Sequence, residues 1–198
     1  MALIDAVSWP VVTERLSMRP ATPGDAEDVW RVRRSEGVSN WLPSLAHGWD
    51  EWTVYFGVPD RLAATLVMEV DGQVAGDLFL QGRDAYAQAE VRDRAMGVEA
   101  EIGWVLGPEH QGRGLAAEAA RALLAICFDE LGLHRVTAGC AAENTASWRV
   151  MERVGMRREA HTIQSGLYRD GTWRDGYLYA MLAAEWHAPT GAPTGLQV

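Results

Sequence analysis

Lysine is missing from this 198-residue chain, and all 18 basic residues are arginine. No Schiff-base chemistry through a lysine amine is open to it, and a Walker-type phosphate loop, which needs its lysine, is excluded. Cysteine is scarce as well. Cys127 and Cys140 are too few for a disulfide framework and lack zinc-site spacing, so both are expected to be reduced core thiols. The five histidines, His47, His110, His134, His161 and His187, form no HExxH pattern and no pairing with the cysteines, so no metal is expected. Apolar runs of about 18 residues are absent, which argues against a membrane span. Met1 to Pro10 carries Asp5 early and no basic stretch ahead of an apolar run, so it does not read as a signal peptide, and a cytoplasmic location is expected. Positive charge is in deficit: the formal charge of −9 argues against the phosphate-neutralising surface that non-specific nucleic-acid binding needs.

What is present is ordinary for a soluble globular chain, with 48% hydrophobic and 23% charged residues. Its length predicts one domain over residues 1–187, followed by a coreless repeat, Ala188-Pro189-Thr190-Gly191-Ala192-Pro193-Thr194-Gly195, that predicts a disordered tail over 188–198. Glu14 to Arg19 alternates like a half-buried strand. Thr22-Pro23-Gly24-Asp25 opens a helix with Thr22 as cap and Val29, Trp30 and Val32 on its apolar face, and a second helix is expected over Trp49 to Phe56. Leu62 to Val70 and Val74 to Leu80 read as a hairpin turning at Asp71-Gly72. A polar insert follows over residues 83–97. Glu99 to Leu106 is a strand, and Leu115 to about Leu131 a helix ended by Gly132. Strand Arg135 to Cys140, helix Asn144 to Val154, strand Met156 to Ile163 and a hairpin at Asp170-Gly171 into Tyr177 to Leu182 complete the pattern.

The chemistry concentrates in Gln111-Gly112-Arg113-Gly114-Leu115-Ala116. A helix whose first turn is built on Gly112 and Gly114 exposes unpaired backbone N–H groups, which together with the helix dipole attract an anion. The dinucleotide fingerprint is absent, and a bland glycine turn is the competing account of the segment. Its context narrows the choice. The turn follows strand Glu101-Ile102-Gly103-Trp104-Val105-Leu106 and precedes Asn144-Thr145-Ala146-Ser147 by about thirty residues.

Taken together these segments resemble the GNAT superfamily of N-acetyltransferases. Gln111 to Ala116 is similar to its acyl-CoA motif, and Glu143-Asn144-Thr145-Ala146-Ser147 to Val154-Gly155-Met156 to its second motif. Glu101 to Trp104, Asp170-Gly171 and Tyr179 are similar to the ribosomal-protein alanine acetyltransferase (RimJ/RimL) branch. The resemblance implies a mixed α/β (α+β) fold, with a mostly antiparallel sheet of about seven strands, splayed between the fourth and fifth, and about four flanking helices. It implies acetyl-CoA as donor, bound by Trp104, Val105, Leu106, Gln111, Gly112, Arg113, Gly114, Leu115, Ala116, Asn144 and Ser147. An N–H near Val105 would lie by the thioester carbonyl and stabilise the oxyanion. A homodimer is expected on the same grounds.

The reaction so implied needs a neutral amine, so a base must remove a proton. Glu101 is the candidate base, with a structural strand carboxylate as the alternative. Ser147 is the candidate acid for the leaving thiolate, with a plain helix-surface serine as the alternative. Many relatives place a tyrosine where this chain has Met151, and some ribosomal-protein acetylases carry a carboxylate where it has Gln164-Ser165-Gly166. Arg149, Arg153 and Arg157 recur near the donor site, either as contacts to the 3′-phosphate or as a solvated face. Most tryptophans are assigned to the core. Two functions therefore stand: transfer of an acetyl group to a primary amine, of a protein N-terminus or a small molecule, and a non-catalytic acyl-CoA-binding module.

Overall fold

The computed structural model describes residues 2–188. Its elements run β1 (Val11–Val12), β2 (Ser17–Pro20), α1 (Ala26–Arg33), α2 (Trp49–Phe56), α3 (Pro59–Leu62), β3 (Thr65–Val70), β4 (Gln73–Arg83), β5 (Glu99–Leu106), α4 (Leu115–Ala125), β6 (Arg135–Ala141), α5 (Thr145–Arg153), β7 (Arg157–Leu167), β8 (Trp173–Leu182) and α6 (Ala183–Trp186). One eight-stranded sheet carries them in the order β1-β2-β3-β4-β5-β6-β8-β7. Every pairing is antiparallel except β5 with β6. The mixed, mostly antiparallel sheet expected from the resemblance is thus present. Its eighth strand is β1, whose two residues are too few to show a period.

Local chemistry explains most boundaries. Asp71 and Gly72 turn the β3–β4 hairpin at φ 52° and 77°, the two left-handed positions that an Asp-Gly turn supplies. α1 is entered through a short turn, Pro23–Asp25, that Thr22 caps as expected, in a reciprocal box with Asp25. The Asp25 carboxylate accepts the Thr22 N–H at 2.7 Å and its hydroxyl at 2.8 Å, and Arg19 holds it from outside at 2.7 and 2.9 Å. α4 buries Leu115, Ala119, Ala120, Leu123 and Leu124, a broad stripe at helical spacing, then widens by one residue so that the Leu131 N–H reaches the Ile126 carbonyl at 2.9 Å. The insert expected over residues 83–97 begins later, because β4 runs on to Arg83. Its neck is closed by Ala85 N–H to the Ala95 carbonyl at 2.8 Å. β7 and β8 are likewise longer than their apolar cores, since hairpin pairing carries polar residues along with it.

Two apolar layers sandwich the sheet. Leu66, Met68, Leu78, Leu80, Ala100, Ile102, Val136, Ala138 and Tyr179 pack with α4 and α5 in the larger one. Val67 and Val74 pack with Val29, Trp52 and Phe56 of α1 and α2 on the opposite face. A fully buried leucine or valine in these layers contributes about 1.5–3 kcal/mol. Asp77 of β4, on the α1 side, is buried with Arg33 of α1 at 2.5 Å, so the helix is pinned to the sheet by a charge pair as well as by packing.

Candidate active site

The parallel pair β5–β6 is joined over three rungs alone, Glu99 with Arg135, Ala100 with Val136 and Glu101 with Thr137. Beyond Glu101 the two strands part. Gly103, Trp104 and Val105 stay half-exposed, and β6 continues to Ala141 held by β8 alone, which pairs with it along its whole length. Counted without β1, the parting lies between the fourth and fifth strands, as expected. It leaves backbone N–H and C=O groups of both strands facing a gap, the condition for adding an extended ligand as a further strand.

At the far end of β5 the chain turns back on itself. Gly107 N–H bonds the Ala75 carbonyl at 2.9 Å, and the Gln111 side-chain amide donates to the Leu106 carbonyl at 2.8 Å, so Gln111 braces the strand end. Gly112 and Gly114 then adopt φ 73° and 81°, and a β-carbon on Gly112 would meet nothing within 4 Å. Such dihedrals are strained for any side chain. The first α4 hydrogen bond outside the helix interior is Glu118 N–H to the Gly114 carbonyl at 3.1 Å, and among the described residues the N–H groups of Gly112, Arg113, Gly114, Leu115 and Ala116 meet no backbone acceptor ahead of it. Exposed amides, a helix dipole and absent side chains coincide there, which is the physical make-up of a phosphate cradle.

Side chains from four segments surround this gap and cradle. Asn144 caps α5, its Oδ1 accepting the Ser147 N–H at 3.2 Å. The Ser147 hydroxyl faces the Cys140 thiol of β6. Burial pushes that thiol up to about 11, against the pull of Ser147 and the Trp148 N–H. Glu101 is half-exposed at the last rung before the strands part, ion-paired with Arg83 of β4. Alternation places it away from the buried Ala100 and Ile102. Thr137, its partner, and Cys140 are three residues apart on β6, roughly 10 Å along the strand and on opposite faces of the sheet. Glu101 and Ser147 therefore lie on opposite faces of the sheet, and the contact that holds the Glu101 carboxylate, Arg83, comes from β4, across β5 from the gap. Met151 is buried to 1% exposure and belongs to the core.

Some groups were legible only in three dimensions. Arg157 is spent in ion pairs with Glu159 and Glu185 and does not approach the cradle. Arg153 does approach it, and so does Arg15, which the sequence offered no reason to consider. Tyr177 of β8 lies beside Cys140 in register and edge-on to His161, whose Nε2 is 2.8 Å from Asp175. A cavity of about 240 Å³ sits between the Asn40–Trp41 segment and the β7–β8 hairpin, lined by Tyr168, Arg169, Asp170 and Arg174. One of its lining residues, Arg174, pairs at 3.3 Å with Glu143, the residue before Asn144.

Comparison with known proteins bears on this geometry. The acetyltransferase (GNAT) domain model matches residues 15–157. An uncharacterized N-acetyltransferase of Bacillus subtilis, YnaD, is 46% identical over 87 residues, a match spanning 44% of this chain and 51% of that protein, about half of its length. Among solved structures, a GNAT-family acetyltransferase from Bacillus anthracis superposes with a TM-score of 0.73 at 30% identity, covering 88% of this chain and 99% of the other. RimJ of Mycobacterium smegmatis, in complex with CoA-disulfide, superposes with a TM-score of 0.70 at 26% identity, covering 87% and 84%.

Proposed function

Because the chain belongs to the acetyltransferase (GNAT) family, we propose that it transfers an acetyl group from acetyl-CoA to a primary amine by direct attack within a ternary complex. The observation that carries the reading is the union of a parted parallel strand pair with a glycine-opened helix at its end. The cradle of Gly112 to Ala116 takes the donor's pyrophosphate, and the free edge of Trp104 to Leu106 takes the pantetheine arm as an added strand. A backbone N–H near Val105 faces the thioester oxygen and stabilises its charge as the amine adds. Glu101 then removes the amine proton, directly or through water, from the α1–α2 side of the sheet. Ser147 returns a proton to the departing thiolate from the α5 side. Attack and departure thus use opposite faces of the sheet, on which these two residues lie.

The acceptor is the amine of a protein N-terminus or of a small molecule, and the cavity bounded by Trp41, Tyr168 and Arg174 is a place for the rest of it. Edge strand β7 and its hairpin expose Ile163, Leu167 and Trp173, which supports pairing with a second copy; a monomeric mass in light scattering would refute that part. Two unpaired cysteines suit a reducing, cytoplasmic setting.

Turnover of acetyl-CoA against a panel of amines tests the activity and separates it from a non-catalytic acyl-CoA-binding module. Gly114→Asp tests the donor site, since it sets a carboxylate in the cradle. Undiminished acetyl-CoA binding by calorimetry in a folded Gly114→Asp protein would sink the assignment.

A further inference from the structure

Two guanidinium groups from outside the glycine turn converge on it. A β-carbon built on Gly114 would lie 3.7 Å from Arg15 Nη2 and 3.9 Å from Arg153 Nη1. Arg15 comes from the connection between β1 and β2, and Arg153 from the last turn of α5. Arg15 is firmly held. Its Nε donates to Glu118 Oε2 at 2.7 Å, its own N–H to Glu118 Oε1 at 2.9 Å, and the Thr13 hydroxyl completes that carboxylate at 2.6 Å. Its Nη1 donates to the Arg113 carbonyl at 2.8 Å, which ties the peptide between Arg113 and Gly114 to this braced guanidinium. Those hydrogen bonds, led by Thr13 against the cost of desolvation, keep the Glu118 carboxyl below its ordinary range, so it stays charged opposite Arg15.

Arg153 is different. Among the described residues neither Arg153 nor Arg113 takes part in an ion pair. Two arginines therefore meet at the positive end of a helix whose entering turn carries a third, Arg113, with one carboxylate paired among them, in a chain whose acidic residues outnumber its basic ones by 27 to 18. Like charges so placed repel one another and the helix dipole alike, and an anion of more than one charge relieves both.

We infer that Arg153 is a direct contact to the donor's pyrophosphate, reaching the cradle from α5, and that Arg15 is the positioning residue that holds the turn open through the Arg113 carbonyl. The inference rests on the donor reading above. It ties α5, which also presents Asn144 and Ser147, to the phosphate end of the donor as well as to the gap. Guanidinium is suited to the task because it stays charged and offers a fork of donors to phosphate oxygens.

Calorimetry on the full chain with CoA and with 3′-dephospho-CoA tests this. Arg153→Ala, an exposed substitution, is expected to keep the wild-type melting temperature and to weaken both ligands by about tenfold, with a shallower dependence on salt. Wild-type affinity for both, alongside lost binding in Gly114→Asp, overturns the role of Arg153 and leaves the donor site standing. Retained binding in Gly114→Asp removes the donor site and this inference with it. Weakening confined to CoA moves Arg153 to the 3′-phosphate and overturns its place on the pyrophosphate. For Arg15→Ala the expected result is a several-fold rise in KM for acetyl-CoA at an unchanged saturating kcat. A fall in kcat at constant KM overturns the positioning role.

Discussion

Replacing Glu101 by glutamine removes one proton acceptor and almost nothing else. The amide has the shape of the carboxylate, can still accept from Arg83, and leaves the three β5–β6 rungs and the glycine turn untouched. Acetyl-CoA affinity should therefore stay within a few fold of wild type. An alkylamine of ordinary pKa near ~10.4 is neutral in only about one molecule in a thousand at pH 7.4, so an enzyme without a base must wait for that fraction. General-base work of the usual ~10²- to 10⁴-fold corresponds to about 3–5 kcal/mol of barrier, and that is the loss expected in kcat at neutral pH. Raising the pH should restore the variant by about tenfold per unit until the amine's own pKa is reached, because the free amine then supplies what Glu101 supplied. The assay is saturating-rate measurement of CoA release from pH 6 to 10 with an identified acceptor. Full kcat at neutral pH in Glu101→Gln would refute the reasoning and assign the proton to another group or to water, while the donor site would be unaffected.

Three further outcomes are expected. Ser147→Ala should lower kcat with little pH dependence and spare acetyl-CoA binding, because Asn144 Oδ1 accepts from the backbone N–H of residue 147 and not from its hydroxyl; a pH-dependent loss would argue against the role of acid. Asp77→Ala strands the Arg33 guanidinium in a pair whose side chains are 14% and 2% exposed, and should cost about 3–5 kcal/mol in urea unfolding; a loss under 1 kcal/mol would mean that water reaches the site. Glu159 is held down to about 2 from 4.5, first by its hydrogen bonds with Arg135 and then by Arg157. A depressed carboxyl stabilises the fold fully above its unfolded value, so this contribution should fade as pH falls from about 4.5 towards 2, and Glu159→Gln should flatten the melting-temperature profile in that window. An unaltered profile would show that the pairs give no net stability.

What the sequence determined by itself is what depends on neighbours a few residues away. Asp71-Gly72 can turn a hairpin because both residues tolerate left-handed dihedrals, and Gly112 and Gly114 open a helix start because no β-carbon stands in the way. The helix over Trp49–Phe56 and the strand over Glu99–Leu106 were both expected from their own segments, with no need of a partner. Tertiary structure decided whatever depends on residues brought together from afar. The Arg15–Glu118 contact closes across 103 positions, and the Arg33–Asp77 pair across 44, distances over which no local pattern carries information. Arg153 and Arg157 look alike as a run of basic residues. One is left free over Gly114 while the other is neutralised by Glu159 and Glu185, because α5 ends and β7 begins between them and turns their side chains to different neighbours. Glu101 and Ser147 could each be named from their segments. That they lie on opposite faces of the sheet follows from the pairing of Glu101 with Thr137, three residues short of Cys140, and only a folded sheet sets that register.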